Sequence, residues 1–257
     1  MNNDSCDTTD LFSLYQGGNL AFNRAGFARY TCRLHIADGI QPNDTVVDFG
    51  CGNGKLLKTM LSNYRAPAAY IGYDKNRRVI ESLIEEYSNF NRAKFYTADL
   101  VNTQTDFSKI KADKVCALDV IELIGKCNIH AFLKNFKNCG AADATYYLSA
   151  TNFDPTYKIP GIHFYDAKDG RGKDIQEFDH YELEAILKRH FIIIEKFGTF
   201  AYIKDYKDNM NDWQRKAYEA LSEYFTPSLV SNIMAPMFPD EARNTLWVLK
   251  RKPDNSK

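Results

Sequence analysis

Thr45-Val46-Val47-Asp48-Phe49-Gly50-Cys51-Gly52-Asn53-Gly54 begins as a strand and ends as a turn. Its first half is β-branched and apolar, which predicts a short buried strand. Its second half alternates glycine with other residues, so the backbone can turn tightly and approach a ligand with no Cβ in the way. Residues 55–64 then read as a helix, whose start offers unpaired N–H groups. Strand, glycine turn and helix in succession mark the place where an open α/β sheet binds ligands, at the carboxyl ends of its strands.

Outward from this stretch the alternation continues. Strands are expected at 69–73, 94–98, 114–118 and 145–150, with helices at 77–90 and 128–139 between them. After residue 150 the pattern changes. Pro155, Pro160, Gly161, Gly170 and Gly172 make 151–178 a long loop, and loops of this length are usually functional. A helix at 180–190, strand structure at 191–202, helices at 211–224 and 227–234 and a last strand at 245–250 complete the chain. Upstream, residues 11–40 read as helical, with Ala28, Cys32 and Ile36 at helical spacing.

The expected fold is α/β: a doubly wound, mostly parallel seven-stranded sheet with helices on both faces. An N-terminal helical segment precedes it and a helical insertion interrupts it before the last strand. We read 1–257 as one domain: a helical cap at 11–40, a ligand-binding half at 45–150, and a second half at 151–257 with the insertion at 204–242.

A second acid supports a nucleoside-type ligand. Asp74 ends the second strand, twenty residues after Gly54, where an acid binds ribose hydroxyls in nucleotide-binding βαβ units. The glycine spacing separates the ligands further. A dinucleotide loop wants a third glycine where this chain has Lys55 or Leu57, which disfavours a nicotinamide oxidoreductase. No P-loop pattern is present.

With these residues in place, the chain resembles the class I, Rossmann-like S-adenosylmethionine-dependent methyltransferases. Their first motif is similar to Val46–Gly54, their second to Ile71-Gly72-Tyr73-Asp74, their third to Phe95-Tyr96-Thr97-Ala98-Asp99-Leu100, and their fourth to Ala117-Leu118-Asp119-Val120-Ile121-Glu122. The resemblance implies S-adenosyl-L-methionine as cofactor. It places Gly50, Cys51, Gly52, Asn53 and Gly54 under the methionine and ribose part. Asp48 orients that loop or meets the cofactor amine through water. Asp74, with Lys75 beside it, takes the ribose hydroxyls; Asp99 and Leu100 frame the adenine; Asp119 and Val120 lie near the methyl end. Some members add a metal through Glu, Glu and His. Here the stretch gives Asp119, Glu122 and Leu123, so no metal is expected.

Methyl transfer from a sulfonium is an in-line displacement that depends chiefly on alignment. A base is needed when the acceptor must lose a proton. The candidates are Asp119, Glu122 and His163, with Tyr165 as a positioning group. The blander readings are a helix-start charge for Glu122 and a surface loop residue for His163. His180 reads as a helix cap or as the partner of a nearby acid.

The acceptor is less legible. Lys and Arg total 33, as do Asp and Glu, so no global charge favours nucleic acid or a membrane. With a cap-like insertion carrying Met210, Trp213, Tyr218, Leu221, Tyr224 and Phe225, a small molecule or sugar is the first expectation. RNA or DNA is second, and a catalytically silent cofactor-binding partner is the reading from another class. The polar, acidic start Met1–Asp10 lacks a signal-peptide pattern, and six scattered cysteines form no C-x-x-C pair. A cytoplasmic protein with reduced thiols is expected.

Overall fold

The computed structural model describes residues 24–102, 104–153 and 177–253. Its elements are α1 (Arg24–Asp38), β1 (Thr45–Phe49), α2 (Lys55–Ser62), β2 (Ala69–Asp74), α3 (Arg77–Glu86), β3 (Ala93–Thr97), β4 (Ala112–Leu118), α4 (Ile121–Ile124), α5 (Ile129–Cys139) and β5 (Gly140–Thr151), followed by α6 (His180–His190), β6 (Phe191–Phe200), α7 (Ile203–Tyr206), α8 (Asp212–Tyr224), α9 (Pro227–Met234) and β7 (Asn244–Arg251).

Among these residues a seven-stranded sheet runs in the order β3-β2-β1-β4-β5-β7-β6. The first five strands are parallel, and β7 lies antiparallel between β5 and β6. This is the expected doubly wound architecture. The order reverses between β1 and β4, so the turn after β1 opens at the switch point.

Both faces of the sheet are buried, which is why β1 is apolar on both sides. Phe49, Phe132, Phe136, Tyr146, Phe191 and Trp247 fill the face under α5 and α6. Ile36, Val46, Leu57, Met60, Tyr70 and Leu246 fill the face under α1, α2 and α3. A third cluster, built on Tyr206, Met234 and Phe238, lies within the insertion between β6 and β7.

Helix starts follow from local chemistry. Asn76 caps α3 through Arg78 N–H, and Asp179 caps α6 through the N–H groups of Tyr181 and Glu182. Asn211 and Gln214 form a reciprocal capping box on α8. Of the insertion's apolar residues, Met210 is buried and Tyr218 and Leu221 pack onto its core, while Trp213, Tyr224 and Phe225 are exposed.

The fifth strand differs from expectation: it starts at Gly140, five residues early. Gly140-Ala141-Ala142-Asp143 has the composition of a turn, yet a Cβ on Gly140 would lie 2.3 Å from Tyr146 Oη, so close packing explains the glycine. No helix among the described residues is long and apolar enough to cross a membrane.

Candidate active site

The loop between β1 and α2 is tied to the neighbouring strand. The N–H groups of Gly50 and Cys51 both donate to Tyr73 O, at 2.7 and 2.9 Å. Gly50, Gly52 and Gly54 all have positive φ, at 76°, 49° and 72°. A side chain there is strained. Space distinguishes two of them. A Cβ on Gly50 would lie 2.4 Å from Val120 Cγ2, so β1 and the turn after β4 are in close contact at that point. A Cβ on Gly52 would meet nothing within 4 Å, so the loop presents its bare backbone to open space.

Asp74 holds that backbone. Its Oδ2 accepts the Gly52 N–H at 3.0 Å and its Oδ1 accepts the Asn76 N–H at 2.8 Å. Each carboxylate oxygen has two lone pairs, so both retain capacity for a further donor. Lys75 and Asn53 are exposed on either side. Cys51 turns the other way: its side chain is buried over Gly72, where a Cβ would come within 2.9 Å of Cys51 Sγ.

Behind the loop, Asp48 is buried and accepts a 2.6 Å hydrogen bond from Tyr70 Oη. Burial pushes its carboxyl up to about 7, against the partly compensating Tyr70 bond. Tyr70 was not foreseen as the partner of Asp48, since a tyrosine in a strand reads as core.

At the third motif, Asp99 is exposed and accepts the Val101 N–H, while Leu100 is buried. Asn135 of α5 fixes this segment by donating to Leu100 O and Asn102 O, at 2.9 and 3.1 Å. Asn135 was not foreseen; only its inward position on an amphipathic helix hinted at it.

At the fourth motif, Asp119 takes a left-handed conformation, φ 53°. Ser149 of β5 holds it there: Asp119 N–H donates to Ser149 Oγ, and Ser149 Oγ–H donates back to Asp119 Oδ1, each at 3.0 Å. Arg29 of α1 pairs with its Oδ2 at 2.7 Å. The N-terminal helix thus reaches the end of β4.

Glu122 begins α4, but it is not a solvated helix-start charge. It is buried, and its Oε1 accepts the Thr151 N–H at 2.7 Å. Burial first, and the Asp119 carboxylate second, push it up to about 8. His180 neither caps its helix nor pairs with an acid. Asp179 is the cap, and His180 is buried edge-on against Trp247, 5.0 Å between ring centres. Burial holds its imidazole down to about 3, so it is neutral. His163 and Tyr165 lie outside the described residues, as does most of 151–178. Among the described residues no three His, Cys, Asp or Glu side chains group as a metal site.

The carboxyl ends of β1, β2, β3 and β4 thus carry Gly50–Gly54, Asp74, Asp99, Asp119, Val120 and Glu122, and α1 reaches Asp119 through Arg29.

Residues 40–156 match the family model described as a methyltransferase domain. Methoxy mycolic acid synthase MmaA3 of Mycobacterium tuberculosis is 24% identical over 164 residues, 60% of this chain and 52% of that protein. The chain thus spans about half the length of the curated relatives it matches. The chain solved with the Trm112 methyltransferase activator of Haloferax volcanii superposes with a TM-score of 0.56 at 16% identity, over 91% of this chain and 95% of that one. Phosphoethanolamine N-methyltransferase 1 of Haemonchus contortus, solved with phosphoethanolamine and S-adenosylhomocysteine, gives 0.58 at 15% identity, over 90% and 44%. At these identities the likeness is one of fold.

Proposed function

We infer, from a chain whose residues 40–156 belong to the methyltransferase domain family and whose sheet is that of the class I members, that this protein transfers the methyl group of S-adenosylmethionine to a small-molecule acceptor. The observation that carries the reading is the Gly52–Asp74 pair: an open, Cβ-free backbone held by a strand-end carboxylate that keeps acceptor capacity for ribose hydroxyls.

When bound, S-adenosylmethionine supplies an electrophilic methyl group on a sulfonium. This chain's residues bind and orient it. Gly50, Cys51, Gly52, Asn53 and Gly54 lie under its methionine and ribose part through their backbone, and Asp48 keeps that loop in place. Asp74, flanked by Lys75, takes the ribose; Asp99 and Leu100 frame the adenine; Asp119 and Val120 border the methyl end. Asp119 and Glu122 face the acceptor side, together with His163 of the 151–178 segment. Residues 45–150 thus serve the cofactor and 151–257, with the insertion, the acceptor. Balanced charge over the chain supports a small molecule ahead of RNA or DNA.

Calorimetry with S-adenosylmethionine and S-adenosylhomocysteine tests this. Micromolar binding is expected, weakened about a hundredfold in Asp74→Ala, the loss of charge-assisted hydrogen bonds. No binding at millimolar cofactor ends the reading.

A further inference from the structure

Three carboxyl groups interact around the end of β4: Asp119, Glu122 and Glu177. Two of them already hold a cation. Asp119 is paired with Arg29, and Glu177 with Arg243, whose NH2 lies 2.7 and 2.8 Å from the two Glu177 oxygens. No cation among the described residues pairs with Glu122. Its Oε1 is taken by the Thr151 N–H, and its buried Oε2 has no hydrogen-bond partner, although the residue is only 4% exposed. Buried polar atoms are normally satisfied, so an unpartnered oxygen at a site calls for an explanation.

We propose that the acceptor is a small-molecule amine, that its ammonium form occupies the unpartnered Oε2 of Glu122, and that Glu122 then takes its proton; this rests on the methyl-transfer reading above. The surroundings select this chemistry. A carboxylate acceptor would add a negative charge beside three carboxyl groups that share only two arginines, Arg29 and Arg243. An alcohol would supply a hydrogen bond but no countercharge. An ammonium supplies both.

The proton balance is explicit. Burial and the neighbouring Asp119 carboxylate shift Glu122 of the free protein toward its neutral form. Arrival of the ammonium beside it, with Asp119 and Glu177 held by their arginines and Thr151 N–H on the other oxygen, favours the carboxylate, and one proton leaves to solvent. Glu122 then accepts a proton from the ammonium and frees the nitrogen lone pair. That lone pair forms the N–C bond to the methyl carbon as the C–S bond breaks with its electrons on sulfur. The products are a methylammonium and S-adenosylhomocysteine, and Glu122 is neutral again.

The test uses S-adenosylmethionine with a tritiated methyl group and the low-molecular-mass fraction of a yeast extract; the unreacted donor, itself a cation, is first removed by reversed-phase chromatography, and the products are then separated on a cation exchanger at acidic pH. Label is expected in the retained, cationic fraction, and about a hundredfold less of it with Glu122→Gln. The purified cationic product, titrated into the S-adenosylhomocysteine-loaded protein in two buffers of different ionisation enthalpy, should release a proton in the wild type and none in Glu122→Gln. Label in neutral or anionic fractions, no label despite intact S-adenosylhomocysteine binding, or equal proton release by both proteins overturns the amine. Absent S-adenosylhomocysteine binding instead overturns the methyl-transfer reading itself.

Discussion

Tyr70 Oη donates to Asp48 Oδ2 across 2.6 Å, between two adjacent parallel strands and directly beneath the glycine loop. Burial pushes the Asp48 carboxyl up to about 7 in the folded protein, and the Tyr70 bond, which favours the ionised form, offsets only part of this. A raised acid contributes stability that is fully present below the unfolded value and is lost as pH rises through the folded one. The loss approaches about 1.4 kcal/mol per pH unit between the two values. Asp48→Asn keeps an acceptor for Tyr70 and removes the titration. Urea midpoints from pH 5 to 8 should therefore fall more steeply for the wild type than for the variant. Parallel curves would show that Asp48 ionises normally.

His180 has the opposite sign. Burial holds its folded value down to about 3, below the ordinary 6.5 of a histidine, so its contribution is present above 6.5 and is lost as pH falls. Neither ring nitrogen has a hydrogen-bond partner. His180→Phe keeps a ring against Trp247 and removes two unpaired buried nitrogens. It should be neutral or stabilising at pH 8 and more stabilising at pH 5, by about 1 kcal/mol or more. Thermal melts at the two pH values decide this; a destabilised variant at both would mean that the nitrogens are satisfied.

Gly50 and Gly52 separate folding from binding. In Gly50→Ala the new Cβ collides with Val120, so stability should fall by about 2–3 kcal/mol. Gly52→Ala meets no protein atom and should cost only about 1 kcal/mol, from its positive φ. Yet it places a methyl group where the proposed cofactor would lie. S-adenosylhomocysteine affinity should then drop more than tenfold in a protein that still melts cooperatively. Unchanged affinity would remove the ligand from this side of the loop.

Arg29 and Asp119 are expected to contribute unequally to stability. The arginine is half exposed, and exposed ion pairs contribute little, so Arg29→Met should shift stability by no more than about 0.5 kcal/mol. Asp119→Ala loses the Ser149 Oγ–H bond to Oδ1, keeps the backbone N–H bond to Ser149 Oγ, and puts an alanine at φ 53°, at a cost of about 2 kcal/mol. Denaturant midpoints of the two variants measure the difference; equal losses would make the ion pair a structural tie.

Much of this was legible because backbone chemistry writes itself into sequence. The Thr45–Gly54 stretch announces a strand and a turn through residue types alone, and the strand-end position of Asp74 follows from the same alternation. What escaped were side-chain partnerships between distant segments. Nothing in Tyr70, Asn135 or Ser149 distinguishes a core or strand residue from the clamp on Asp48, Leu100 or Asp119. Glu122 was singled out, but burial was not visible one-dimensionally: a glutamate opening a helix ordinarily sits in water. His180 misled for the same reason, since position before a helix suggests capping while its burial depends on Trp247, far along the chain.

One property of the β6–β7 pair concerns how this chain can vary. Phe200 and Asn244 are partners in register across the two strands, so everything from 201 to 243 leaves the sheet and returns to it at one rung. Topologically it is an oversized hairpin loop with a core of its own. Closure entropy grows only with the logarithm of loop length, about 0.6 kcal/mol per doubling. Segments of different length and sequence can therefore be exchanged here without altering the strand order. The rung where the segment returns adjoins Thr151, the residue that holds Glu122. A segment exchanged between Phe200 and Asn244 would thus enter and leave beside Thr151 with the order of the seven strands unchanged.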